Sequence, residues 1–391
     1  MTRSAHAPDN PRVAPTDHLE PVDVTFVLPG LVASGGVRAV FEIADHLRAL
    51  GRTTAILVPR RSLLSPRRSS AGIAEGLLPV AALPLLQRVS PRKPLAQDWF
   101  DLQTPVIDAG HLLYRDLPRS RAVVATSYRT AEELLRWPQI GECGVYFIQH
   151  NESWSGPPAR VDATWRAFDR IVTSSEWLRR RAQKQFSKTN VGLAVYGVDA
   201  GTMHPPRSDH VSTRPVVGFM WDDRPWKGGA DLRTALELLR SRGFEFDAKA
   251  FGLASSPPPD GVSFEGRLAG EQLADFYRSL DVFVSASHSE SGPMTIPEAM
   301  SCGVPVVATD VGSVRLWTAN GAACSIVSPK NPDGLARAIG ALLESTDLRA
   351  ERSAAGIAAI APFTWERTAR QFDSDLVAFG LLDSLPAEAV S

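Results

Sequence analysis

The chain has 391 residues, a formal net charge of −1, 44% hydrophobic residues and 22% charged residues. At roughly 100–200 residues per domain this predicts two domains with sizeable cores, and it excludes a wholly disordered chain or a disulfide-stapled miniprotein. The three cysteines, Cys143, Cys302 and Cys324, form no C-x-x-C pair. They supply neither a zinc site nor a disulfide framework, and a reducing compartment fits them best.

Charge is unevenly spread. Residues 1–205 carry 25 Lys and Arg against 19 Asp and Glu, and residues 206–391 carry 17 against 24. The asymmetry supports a division into two bodies. The surplus in the first half is too small for nucleic-acid binding and fits a phosphorylated ligand, an acidic membrane surface or an uneven solvated face. No apolar run reaches the roughly 18 residues of a membrane span.

In chain order, residues 1–21 are punctuated by proline and lack the apolar stretch of a signal peptide, so they read as a disordered tail. Residues 22–28 are a buried strand, 29–36 a turn, 37–47 a helix and 53–58 a second strand, a βαβ opening that predicts a parallel sheet. Residues 60–97 interrupt the pattern. They hold Arg60, Arg61, Arg67, Arg68, Arg88, Arg92 and Lys93 against Glu75 alone, with an apolar run cut by Pro79 and Pro84. Prolines break a continuous helix, so this is a partly helical basic insertion. Its stretch 60–93 suits either peripheral contact with anionic lipid or plain solvation.

Strands are expected at 122–126, 145–149, 170–174 and 195–199, with a helix at 176–186. Residues 201–214 form a proline-bearing linker. The alternation then restarts: strands at 215–220, 246–251, 281–285 and 304–309, and helices at 229–242, 270–279, 296–301 and 331–344. A helix at 364–379 returns to the first domain. The predicted organisation is a tail 1–21, a Rossmann-like domain 22–200, the linker, a second Rossmann-like domain 215–363, and a returning C-terminal segment 364–384. The fold class is α/β, two Rossmann-like domains facing across a cleft, with ligands beyond the carboxyl ends of the strands.

The strongest chemical signal is the string SASHSESGPMTIPEAMSCGVPVVAT at 285–309. Glu290 and Glu298 flank a Gly-Pro turn and a helix start. Unpaired amides at Met294, Thr295 and Ile296, with the positive end of the helix dipole, suit a phosphate. Pro297 fits the first helical turn. Glu298, one turn in, would be repelled by that phosphate and instead suits vicinal hydroxyls such as those of a ribose. Glu290 suits another polyol. The plain alternative is a pair of acids favouring the N-terminal dipole.

This string resembles the retaining GT-B glycosyltransferases, specifically glycosyltransferase family 4. The family's form E-G-F-G-L-P-x-x-E-A-M-A-x-G-x-P-V-V stands here as E-S-G-P-M-T-I-P-E-A-M-S-C-G-V-P-V-V. The loop Ser291-Gly292-Pro293 departs from the usual glycine-aromatic-glycine. The resemblance implies that Glu298 binds the nucleotide ribose, that Glu290 binds the donor sugar, and that Gly292 and the amides of Met294 and Thr295 hold the diphosphate.

Three further elements fit. In MWDDRPWKG (220–228), Lys227 matches the family's diphosphate-binding lysine. The arginine expected five residues earlier is replaced by Asp222, and Arg224 is the candidate substitute. The Asp222-Asp223 pair is read as solvated acids rather than a metal site. In LPGLVASGGVR (28–38), Gly35 and Gly36 match a loop that the resemblance places at the donor phosphates and acceptor. In YFIQHNESW (146–154), His150 emerges beyond a strand end, where the resemblance places a histidine near the donor sugar. Asn151 and Glu152 are candidates for acceptor hydroxyls.

The resemblance thus implies His150, Lys227 and Glu290 as catalytic residues in transfer of a hexose or deoxyhexose, with retention and without metal or other cofactor. The donor is a nucleotide sugar. The acceptor is a glycan, a lipid-linked species or a small molecule, with no nucleic-acid partner. A cytoplasmic location, with peripheral contact at the inner membrane face, is expected. Two other readings remain at this point: a GT-B sugar-nucleotide epimerase and a non-catalytic two-lobed sugar-binding protein.

Overall fold

A computed structural model describes residues 20–59, 99–109, 117–152, 156–206 and 214–386. The basic insertion 60–97, the tail to residue 19 and the linker stretch 207–213 lie outside the described residues. The chain forms two compact units. The first comprises residues up to Thr173, then Arg179–Leu193 and the segment from Ala369. The second comprises Ser174–Leu178 and Ala194–Thr368.

In the first unit, β1 (Val22–Val27), β2 (Thr54–Val58), β3 (Val106–Asp108), β4 (Ser120–Ala125), β5 (Gly144–Ile148), β6 (Arg170–Thr173) and β7 (Asn190–Leu193) make a parallel sheet in the order β3-β2-β1-β4-β5-β6-β7. Parallel strands covered on both faces read as continuous apolar runs, and β2 and β5 are buried throughout. Helix α1 (Gly35–Ala49) starts where the Ser34 hydroxyl accepts the Val37 amide, and it buries Val37, Val40, Phe41, Ala44 and Leu47. The remaining helices of this unit are α2 (Tyr128–Leu134), the single turn α3 (Ile140–Cys143), α4 (Pro158–Ala167) and most of α5 (Glu176–Phe186).

In the second unit, β8 (Val216–Trp221), β9 (Asp247–Gly252), β10 (Val262–Phe264), β11 (Val282–Ser285), β12 (Val306–Thr309) and β13 (Cys324–Val327) form a second parallel sheet, order β10-β9-β8-β11-β12-β13. Helices α6 (Gly229–Ser241) and α10 (Pro332–Glu344) bury Leu232, Leu236, Leu239, Leu335 and Ile339 in one core against the sheet's Val217, Phe219 and Val284. Helices α7 (Gly270–Arg278), α8 (Thr295–Ser301), the short turn α9 (Val314–Trp317) and α11 (Thr346–Ile360) complete it. Helix α12 (Trp365–Ala378) begins in the second unit and enters the first at Ala369. There Phe372 packs against Phe26 and Phe147, with ring centroids 5.6 and 5.4 Å away.

One expected strand is absent. Residues 195–199 form only a bridge from Val198 to Thr364, and the last strand of the first sheet is Asn190–Leu193. The backbone at Gly197 lies so close to Thr364 that a side chain there would overlap it. That contact holds the segment in the second unit.

In each sheet the strand order reverses direction at a switch point, between β1 and β4 and between β8 and β11. In open α/β sheets ligands bind beyond the carboxyl ends of the strands at such a point. The candidate residues of the second unit lie on the loops after β8 and β11 and on helix α8.

Candidate functional site

The loop after β8 carries Lys227 at the end of a single 3-10 turn, Pro225–Lys227. Gly228 follows with φ +72, a left-handed conformation that glycine adopts at little cost. A side chain at Gly228 would overlap the Ala286 carbonyl oxygen. The Lys-Gly pair thus allows the loops after β8 and β11 to touch. His288 N donates to Trp226 O at 2.7 Å across the same seam.

This seam brings Lys227 to Glu290. Lys227 Nζ donates to Glu290 Oε1 at 2.5 Å, and both side chains are largely buried, 14% and 12% exposed. Ser287 Oγ also donates to Oε1, at 3.2 Å. Two further pairs flank it. Arg224 reaches Asp222 with both Nε and Nη2, at 2.7 and 2.5 Å, and His288 Nε2 lies 2.7 Å from Asp231 Oδ2. Burial alone would raise the Asp222 carboxyl, but the Arg224 hydrogen bonds and charge outweigh it and hold it below its usual value. Asp223 faces elsewhere, accepting from the amides and hydroxyls of Ser255 and Ser256. Among the described residues no group of three or more His, Cys, Asp or Glu is placed to hold a metal ion.

The Glu290 loop is braced from several sides. Trp177 Nε1 donates to Glu290 O at 3.2 Å, and Ser313 N donates to Ser291 O at 2.9 Å. A side chain at Gly312 would overlap that Ser291 carbonyl. The Ser291 hydroxyl is buried within 2.6 Å of Ser174 Oγ and 2.9 Å of Ser175 Oγ. This satisfies the polar group that replaces the family's glycine. Gly292 lies against Tyr196 and Trp317, which would crowd a Cβ to 3.0 and 3.1 Å.

Helix α8 follows. The amides of Met294 and Thr295 precede its first i→i−4 bond, from Glu298 N to Met294 O. The Ile296 amide, expected to face an anion, instead donates to Pro293 O at 3.0 Å. The Glu298 carboxylate is buried and accepts the Tyr277 hydroxyl at 3.0 Å.

In the first unit, Gly36, the second residue of α1, lies beside Gln149, whose Oε1 would be 3.3 Å from a Cβ at that position. His150 and Asn151 follow β5. The Asn151 amide lies 2.8 Å from His150 Nδ1, and the Asn151 Oδ1 lies 3.0 Å from the same nitrogen. Glu152 has φ +50, and its Oε2 accepts the Tyr146 hydroxyl at 2.7 Å and the Tyr128 amide at 2.6 Å. Burial pushes its carboxyl up to about 7, against the pull of those two bonds. The oxygen expected to meet acceptor hydroxyls is therefore engaged in bracing β5 to the start of α2.

The second unit brings Lys227, Glu290, Gly292, Met294, Thr295 and Glu298 onto adjoining loops and one helix. Arg224 is on the same loop as Lys227 but turned onto Asp222. Sequence reasoning missed the His288–Asp231 pair, the Tyr277 hydroxyl on Glu298, and the Trp177 and serine braces. Their partners lie 21 to 117 residues away in sequence, with no motif to link them.

Residues 217–345 match the family described as Glycosyl transferases group 1. A D-inositol 3-phosphate glycosyltransferase of Streptomyces griseus is 32% identical over 278 residues, covering 68% of this chain and 55% of the relative. One of Streptomyces scabiei is 30% identical over 197 residues, covering 47% of this chain and 42% of the relative. The chain thus spans about half the length of these curated relatives. Among solved structures, sucrose-phosphate synthase from Thermosynechococcus elongatus superposes with a TM-score of 0.68 at 16% identity, covering 93% of this chain and 99% of that one. Anabaena HepE in complex with UDP-glucose gives 0.68 at 16% identity, covering 91% and 100%. At that identity the likeness is one of fold, and the fold is of the GT-B kind. Residues 217–345, most of the second unit, thus carry a glycosyl transferases group 1 match.

Proposed function

We propose that the protein is a retaining glycosyltransferase that moves a hexose or deoxyhexose from a nucleoside-diphosphate sugar to an acceptor hydroxyl without a metal ion. The observation that supports this most is the meeting of Lys227 and Glu290 at the β8/β11 switch point, with Glu298 one turn into the next helix. In this reading Lys227 and the amides of Met294 and Thr295 bind the diphosphate, aided by Arg224. Glu298 binds the ribose, and Glu290 binds hydroxyls of the transferred sugar. Gly35, Gly36, His150 and Asn151 serve the sugar and the acceptor.

Breaking the bond from the anomeric carbon to the diphosphate oxygen leaves negative charge on the diphosphate and positive charge on the sugar. A fixed cation and fixed amides stabilise the leaving group in the transition state. The acceptor oxygen then bonds the anomeric carbon from the face the diphosphate leaves, and a phosphate oxygen takes the acceptor proton. Configuration is retained without an enzyme nucleophile. The relatives named for D-inositol 3-phosphate make a phosphorylated cyclitol the first small-molecule acceptor to test, alongside glycan and lipid-linked acceptors. HepE's UDP-glucose complex makes UDP the first nucleotide to test.

The test is NMR of the product formed from UDP-glucose and inositol 3-phosphate, with other donor and acceptor pairs tried in turn, with and without EDTA. An α-linked product from the α-linked donor, unaffected by EDTA, is expected. Lys227→Ala should lower kcat by about 10²–10³-fold. An inverted product, or a Lys227→Ala enzyme of unchanged kcat, would overturn the reading.

A further inference from the structure

Both basic side chains placed at the diphosphate already hold carboxylates of this chain: Lys227 holds Glu290 and Arg224 holds Asp222. The four charges also feel one another, since Glu290 acts on Arg224 and Lys227 acts on Asp222. Among the described residues, both hydrogen bonds to the Glu290 carboxylate fall on Oε1.

Resting on the donor reading above, we infer that the Lys227–Glu290 pair is an exchangeable contact through which Glu290 makes the site prefer a nucleoside-diphosphate sugar to the bare nucleoside diphosphate. A diphosphate that approaches Lys227 competes with Glu290 for the same ammonium group and brings like charge against the carboxylate. Removing one partner from a pair this buried leaves an uncompensated charge, which is strongly unfavourable. Sugar hydroxyls compensate by donating charge-assisted hydrogen bonds to the carboxylate. A bare diphosphate places no hydroxyl there, so it bears the whole penalty. The same contact thus favours entry of the substrate and departure of the product.

The test is titration calorimetry with matched ligands: UDP with UDP-glucose, GDP with GDP-mannose, and ADP with ADP-glucose. Glu290→Gln keeps size and an acceptor oxygen but removes the charge. It should bind the bare diphosphate at least about fivefold tighter, the low end of typical coupling between binding events. It should gain less for the sugar nucleotide, so the preference ratio falls. Asp222→Asn, which leaves Glu290 untouched, should tighten both ligands by releasing Arg224 while the ratio stays as in wild type. If wild type binds a pair but Glu290→Gln leaves the ratio unchanged, the inference fails and the donor reading stands. If Glu290→Gln does not fold, a wild-type protein that binds the bare diphosphate as tightly as the matching sugar nucleotide overturns it. If neither wild type nor variants bind any pair, the donor reading itself fails.

Discussion

Gly228 shows how one residue type sets the site. Its φ of +72 and its contact with the Ala286 carbonyl exclude a side chain. An L-residue in that conformation costs about 1–2 kcal/mol before any clash is counted. Gly228→Ala should therefore lower stability by at least that much in urea denaturation and weaken nucleotide binding, because Lys227 precedes it directly. A variant with unchanged stability and affinity would show that the loops need not touch. Lys227, Glu290 and Glu298 were legible in the sequence because each sits in a motif of fixed spacing. The Ser291 substitution was visible too, but its reason was not, since its hydroxyl partners Ser174 and Ser175 lie more than 100 residues earlier.

Glu152 carries a pH consequence. Its folded-state carboxyl is raised from 4.5 to about 7. The protonated form is the one the fold favours, so its stabilising contribution is complete below about 4.5 and is lost as pH rises through about 7. Glu152→Gln keeps an acceptor for Tyr146 and Tyr128 without a charge to bury. Between pH 5 and pH 8 the denaturation midpoint of the variant should fall less than that of wild type. Parallel curves for the two proteins would contradict this assignment.

At the scale of elements, the loop after β11 is held by its neighbours rather than by its own secondary structure. Trp177 on α5 donates to the Glu290 carbonyl, and Thr309 at the end of β12 donates to the Ser285 and Ser287 carbonyls. Trp177→Phe removes one hydrogen bond, worth about 0.5–1.5 kcal/mol. Because that bond holds the residue whose carboxylate is proposed to bind the sugar, the expected result is weaker sugar-nucleotide binding with a melting temperature close to wild type, read by calorimetry and thermal melting. Elements with strong apolar patterns, such as β8, α6 and β12, were legible to within a residue or two. Others were not. Helix α11 buries only Gly356 and Ile360, so it carries no clear apolar stripe. Strands β7 and β13 are only partly buried and mix Asn, Gly, Cys and Ser with their apolar residues, so no apolar pattern stands out.

At the scale of the whole chain, the C-terminal segment completes the first unit. Arg52, beside β2, pairs with Asp373 on α12 at 2.7 Å, with both side chains buried, and also donates to the Asp383 carbonyl. Asp373→Ala leaves the Arg52 charge buried and unpaired, which should destabilise the first unit by about 3–5 kcal/mol. Differential scanning calorimetry should show that unit's transition shifted down. An unshifted transition would mean the pair is dispensable. The helical spacing of the C-terminal residues was legible in sequence. The arginine that receives them was not, because 321 residues separate the two. None of the described helices is long and apolar enough to cross a membrane.

Lys227, Glu290 and Glu298 of the second unit are the residues proposed to bind a nucleoside-diphosphate sugar. The most direct test is thermal stability of wild type and Glu298→Ala against UDP, GDP, dTDP and ADP and their sugar conjugates. A ligand at 100 times its dissociation constant should stabilise the wild-type protein by about 2.7 kcal/mol. Nucleotides of one base should raise the wild-type melting temperature, and Glu298→Ala should lose the shift. No shift with any nucleotide, or an equal shift in the variant, would contradict that reading.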